Sequence, residues 1–163
     1  MNNDWGLDIF ISISLKYPEL NAVKYQTDQE TIFFELALNQ NIDTAHKEVF
    51  IRRMEDCLLI FHRLSSTSPS LMKLSFEENG GVNFLRIYRD IKTLDEEEIE
   101  LLLHMVREEF KDALFKADER IIVADSVKKR LKKDLLNKIN TGNVGATSFL
   151  AYRQEGRVLV FNN

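Results

Sequence analysis

Residues 7–16 read Leu-Asp-Ile-Phe-Ile-Ser-Ile-Ser-Leu-Lys, and the form this stretch takes decides how the fold begins. Leu7, Ile9, Ile11, Ile13 and Leu15 alternate with Asp8, Phe10, Ser12, Ser14 and Lys16. A period of two, rich in β-branched residues and stopped by Tyr17-Pro18, predicts a strand. A helix competes, because Leu7, Phe10, Ile11 and Leu15 also fall at helical spacing, and a segment apolar on most sides satisfies either period.

Outward from that stretch the pattern is clearer. Ala22–Gln26 and Thr31–Leu38 flank Thr27-Asp28-Gln29-Glu30 and predict a hairpin with a four-residue connection. A helix follows, capped by Asp43 or Thr44, whose side-chain oxygen can accept from an unpaired amide of the first turn. Phe50, Met54, Cys57, Leu58, Phe61 and Leu64 recur at three and four and predict one apolar stripe, with Arg52, Arg53, Glu55 and Asp56 outside it. The hydroxyl run Ser65–Ser70, which contains Pro69, ends the helix.

Leu71–Glu77 and Val82–Arg89 bracket Glu78-Asn79-Gly80-Gly81, where Asn-Gly supplies the positive φ of a tight turn and predicts a second hairpin. Thr93-Leu94-Asp95-Glu96 fits a capping box ahead of a long helix built on Ile99, Leu102, Leu103, Val106, Phe110, Ala113 and Leu114. Residues 119–124 fit a helix or a short strand equally. Asp125 or Ser126 can cap a further helix with Val127, Leu131, Leu135 and Ile139 on one face, left through Asn140-Thr141-Gly142. Ser148–Arg153 and Arg157–Phe161 predict a closing hairpin.

Hairpins interleaved with amphipathic helices predict an α+β fold, an antiparallel sheet packed on helices in two layers. We expect residues 1–163 to form one domain, with 126–163 either part of it or a basic helix plus hairpin appended to it. The segments 22–64 and 71–114 share a hairpin-then-helix order, with Thr44 and Thr93 at corresponding starts, as a duplicated unit would. If residues 7–16 were helical, the order helix, hairpin, helix, hairpin, helix would resemble that of acidic secretion chaperones. That resemblance is architectural, has no matching motif and supports no transfer of function.

The 163 residues, 44% hydrophobic and 29% charged, exclude a disordered or collagen-like chain. A chain of this length buries about 70% of its surface on folding. Charge is divided: residues 1–125 hold 14 basic against 24 acidic residues, and 126–163 hold 8 against 2, within a net charge of −4. An acidic whole disfavours indiscriminate nucleic-acid adhesion, so any such binding is local. The single cysteine, an N-terminus without a basic signal and apolar runs far short of about 20 residues point to the cytoplasm and to no membrane span.

The residues with most chemical promise are basic. Lys128, Lys129, Arg130, Lys132, Lys133 and Lys138 occupy the flanks of the predicted last helix, opposed only by Asp134. Gly142 and Gly145 follow in a loop whose amides a phosphate can approach. Its likeness to a KH-type GxxG loop is superficial, because a strand is expected after it and Asn143 and Val144 stand between the glycines. Walker spacing is absent. The ordinary reading is a solvated face paired with the acidic remainder of the molecule.

His104, with Glu100 and Glu108 four residues to either side, can share a helical face with them, yet one helix alone does not close a metal site. His46 and His62 read as incidental. Cys57 and His62, five residues apart, diverge by about 140° around a helix and form no local nucleophile pair. No catalytic residue, metal ligand or cofactor motif is assigned. The expected function is a small cytoplasmic binding or regulatory protein working through a protein partner or self-association. The alternative is RNA binding through 128–138 and the glycine loop. An enzyme acting on a phosphorylated small molecule ranks third, for want of a general base beside that loop.

Overall fold

The computed structural model describes residues 3–114, 129, 130, 132, 133, 137, 148–154 and 157–162. Helix α1 (Asn3–Lys16) leads into β1 (Leu20–Gln26) and β2 (Thr31–Leu38), then α2 (Thr44–Leu64). A second hairpin, β3 (Met72–Asn79) and β4 (Val82–Asp90), precedes α3 (Glu96–Phe110), and β5 (Ser148–Gln154) and β6 (Arg157–Asn162) close the series. The six strands form one antiparallel sheet in the order β3-β4-β2-β1-β5-β6. The expected α+β class holds, and all three hairpins share one sheet.

Residues 7–16 are helical, which corrects the strand expected there. The physical reason is burial on nearly every side: Leu7, Ile9, Phe10, Ile11, Ile13 and Leu15 are all buried, so alternation along the sequence does not mark one wet face and one dry face. Even Ser14 is buried, its hydroxyl donating to the Phe10 carbonyl at 2.6 Å one turn back. Gly6 lets the helix lie on β1, since a Cβ there would stand 2.1 Å from the Tyr25 hydroxyl oxygen.

The first hairpin turns through residues 27–30 as expected, with Glu30 at φ +53° completing it. In the second, Gly80 and Gly81 take the positive φ angles, +59° and +82°, while Asn79 stays in β3 opposite Val82. Asp43 caps α2 by accepting from the His46 amide at 2.7 Å. The cap of α3 is Asp95, which accepts from the Glu98 amide at 2.9 Å, and not Thr93. Thr93 is otherwise engaged, its hydroxyl donating to Asp90 at 2.7 Å.

The helices lie on one face of the sheet, and the core sits between the layers. Phe10 meets Phe149 of β5 and Tyr25 of β1 at ring-centre distances of 6.1 and 6.3 Å, and Phe50 of α2 meets Phe110 of α3 edge-on at 4.9 Å. On the opposite face Phe33 and Tyr88 pair across β2 and β4 at 5.0 Å, with Arg86 and Lys73 over their rings. No helix among the described residues is long and apolar enough to cross a membrane. The expected helix over 126–139 and its exit at 140–142 lie outside the described residues, apart from helical Lys129, Arg130, Lys132, Lys133 and Asn137, and 119–124 lie wholly outside.

Candidate functional site

Helix α2 carries more apolar side chains than the core can take. Phe50, Met54, Leu58 and His62, four residues apart, turn inward and are buried, while Cys57 and Phe61 are half-buried beside them. Leu64 was expected on that stripe but lies outside it, 84% exposed. Val49, Leu59 and Ile60 are also at least half exposed, at 56%, 50% and 58%. Ile60 follows Val49 by eleven residues, close to three full turns, so the two share one outward line with Leu64 one turn further on. Exposed singly, such residues need no account; aligned on one helix they form a ridge.

Charged residues stand in the same line. Arg53, one turn after Val49, donates to Glu109 of α3 at 3.0 Å, and His46 Nε2 lies 2.6 Å from the other oxygen of that carboxylate. The contact with His46, helped by Arg53 and opposed by partial burial, holds the Glu109 carboxyl below its usual range. Asp56 and Arg52 are exposed.

The basic residues expected to bind phosphate are only partly assembled. Lys129, Arg130 and Lys133 are helical and exposed, whereas Lys132 is partly buried with its Nζ 2.8 Å from Asp8 of α1. Beneath them runs a groove of about 530 Å³, walled by Trp5, Asp8, Ile11, Glu96, Lys129 and Lys132. Two carboxylates face two ammonium groups there, so the groove itself is not a dedicated anion site. Lys128, Lys138, Gly142 and Gly145 lie outside the described residues.

The histidine triplet of α3 does not close. His104 and Glu108 are exposed, and Glu100 accepts from the Tyr17 hydroxyl at 3.0 Å and lies 3.5 Å from Lys16. Burial and that bond push Tyr17 up to about 12. Among the described residues no group of three His, Cys, Asp or Glu side chains could hold a metal ion.

The most developed polar cluster is one the sequence does not mark. Arg89 of β4 is fully buried and grips Glu98 of α3 with two hydrogen bonds, Nε to Oε2 at 2.6 Å and Nη2 to Oε1 at 2.9 Å. Its Nη1 donates to Leu71 O at 3.1 Å and to Asp90, and its Nη2 donates to Thr93 at 3.0 Å. His62 Nδ1 is 2.7 Å from the Thr67 hydroxyl, and Nε2 lies 2.8 Å from Glu98 Oε1, although off the line of a hydrogen bond. His62 is therefore not incidental, and neither ring nitrogen serves Cys57. Arg89 and Glu98 are sealed from solvent, so the cluster joins β4, α2 and α3 and offers no entry for a substrate.

The chain matches no protein-family model, no curated protein and no solved structure.

Proposed function

We propose that this chain is a small cytoplasmic binding or regulatory protein that works through protein contacts, with the outer face of α2 as its contact surface. The observation that carries this reading is the line of exposed Val49, Ile60 and Leu64, with Leu59 beside it. Aliphatic side chains aligned on one face gain free energy when a partner removes them from water, at about 25 cal/mol per Å². The interleaved charges of Arg53 and Asp56 supply orientation.

A photo-crosslinking residue at Val49 or Ile60 tests the reading in the producing cell. Covalent protein adducts are expected at both positions and not at Asp28 in the first hairpin turn. Equal labelling at all three, or none, would remove α2 as the contact surface.

A second reading is supported by the exposure of Lys129, Arg130 and Lys133 on helical backbone. Three neighbouring cations can hold an RNA phosphate chain, with affinity that falls steeply as salt rises. A gel shift abolished by Lys129→Glu with Lys133→Glu supports RNA binding; a shift indifferent to that pair discards it.

A further inference from the structure

Six exposed residues, Ala45, Val49, Arg53, Asp56, Ile60 and Leu64, stand on α2 at spacings of four, four, three, four and four. At about 100° per residue they fall within an arc of roughly 100°, turned away from Phe50, Met54 and Leu58. The spacing reads the same from either end, while the chemistry, two apolar residues, a cation, an anion, two apolar residues, keeps its apolar positions on reversal and exchanges its charges. A line that is its own complement on reversal is what a two-fold interface requires, since the same patch must serve both subunits.

We propose that a second copy of this chain docks on this face, the two α2 helices running antiparallel so that Val49 packs against the partner's Ile60 and Arg53 pairs with the partner's Asp56. The register follows from the charges. Centring the axis between Met54 and Glu55 opposes Arg53 with an anion and each apolar residue of the six with an apolar one, while exposed Arg63, at the angle of Ala45, falls opposite His46 and outside these pairs; the parallel alternative sets Arg53 on Arg53 and Asp56 on Asp56. Arg53 meets Glu109 through Nη1 and keeps its other nitrogens for a second carboxylate. Asp56 has no ion pair among the described residues. A 21-residue helix is about 31 Å long, and a contact confined to two of them lies near or below the roughly 1,200 Å² that marks weak, reversible pairs. The dimer is accordingly concentration-dependent.

This inference rests on the reading of α2 as a protein-contact surface and adds the occupant and the register. Sedimentation equilibrium of the full chain, Arg53→Asp, Asp56→Arg and an equimolar mixture of the two variants tests it. The native chain dimerises; each variant alone, facing like charge at both symmetry-related pairs, associates at least tenfold more weakly; the mixture recovers, because Arg53→Asp opposes Asp56→Arg with restored complementarity. Circular dichroism shows that each variant is folded. In a Cys57→Ser background, Val49→Cys and Ile60→Cys crosslink on oxidation only when mixed. A native monomer throughout, no recovery on mixing, or crosslinking of either variant alone overturns the register. If the native chain is monomeric while the photo-crosslinker at Val49 still captures another protein, the contact-surface reading survives and the second copy does not; no capture at all removes both.

Discussion

Arg89 and Glu98 lie nine residues apart in sequence, on β4 and α3, and meet as a two-pronged ion pair with neither side chain exposed. Burial works against the Arg89 charge, but the bonds to Glu98 and the nearby charge of Asp90 outweigh it and raise its pKa. Breaking such a pair costs more than its net worth, because the remaining charge keeps its desolvation penalty and loses its partner. Glu98→Ala is expected to destabilise the protein by about 3–5 kcal/mol in urea denaturation. Arg89→Met with Glu98→Leu, which removes both charges, is expected to recover much of that loss. A double variant as unstable as the single one would show that the other bonds of Arg89, to Asp90, Leu71 O and Thr93, set the cost rather than the orphaned Arg89 charge.

Acid should loosen the same region. Burial raises the Asp90 carboxyl, yet bonds from the Thr93 hydroxyl and the Leu71 amide, together with Arg89, hold it below the ordinary range. An acid depressed in the folded state contributes stability above its unfolded pKa of about 3.9 and loses that contribution as pH falls through its folded value. Glu109, depressed by His46, acts in the same direction. Denaturation midpoints are therefore expected to hold from neutrality to about pH 5 and to fall below about pH 4. Asp90→Asn is expected to cost about 1–3 kcal/mol at pH 7 and distinctly less at pH 3. A deficit that does not shrink with acid would exclude Asp90 as the responsible group.

How far the sequence could be read depended on whether a signal was local. The second hairpin was legible because glycine accepts positive φ, although the turn falls on Gly80-Gly81 and not on Asn79-Gly80 as the Asn-Gly reading expects, and β2 has the bounds Thr31–Leu38 that its pattern predicts. Segment 7–16 misled because all of it but the narrow line Asp8, Ser12 and Lys16 is buried, so the alternation of apolar residues marks no wet face. The α3 cap was displaced from Thr93 to Asp95 because Asp90 takes the Thr93 hydroxyl, a tertiary claim on a local motif. His62 read as incidental because Thr67, Glu98 and Arg89 come together only on folding. The lysine run was visible, but its contact with Asp8, far away along the chain, was not.

The split of α2 into an inner and an outer apolar line has its own consequence for stability. Met54 is fully buried, so Met54→Ala is expected to cost about 2–5 kcal/mol through lost transfer energy and the cavity left behind. Ile60→Ser and Leu64→Ser remove side chains that the folded monomer leaves in water, and each should change its stability by no more than about 0.5 kcal/mol. Guanidinium titrations at high dilution, where self-association is absent, make the comparison. A loss at Leu64 matching that at Met54 would restore one continuous stripe.

Gly6 and Tyr25 set the closeness of α1 to the sheet. A Cβ at Gly6 would lie 2.1 Å from the Tyr25 hydroxyl oxygen and 2.4 Å from Cζ, well inside contact distance. Alanine in a helix ordinarily gains about 1 kcal/mol over glycine. Here the overlap involves a ring that is itself fully buried, and overpacking of about 1–3 kcal/mol outweighs the gain. The Tyr25 hydroxyl has no hydrogen-bond partner among the described residues, and burial with the nearby Glu30 charge pushes it up to about 12. Tyr25→Phe deletes a buried, unpaired polar atom and is expected to be neutral or stabilising by up to about 1–3 kcal/mol. The two substitutions are coupled through that oxygen: Gly6→Ala alone lowers the thermal midpoint, and adding Tyr25→Phe recovers part of the loss, since Cζ still crowds the new methyl. Strict additivity of the two would mean that helix and strand separate enough for the contact to vanish.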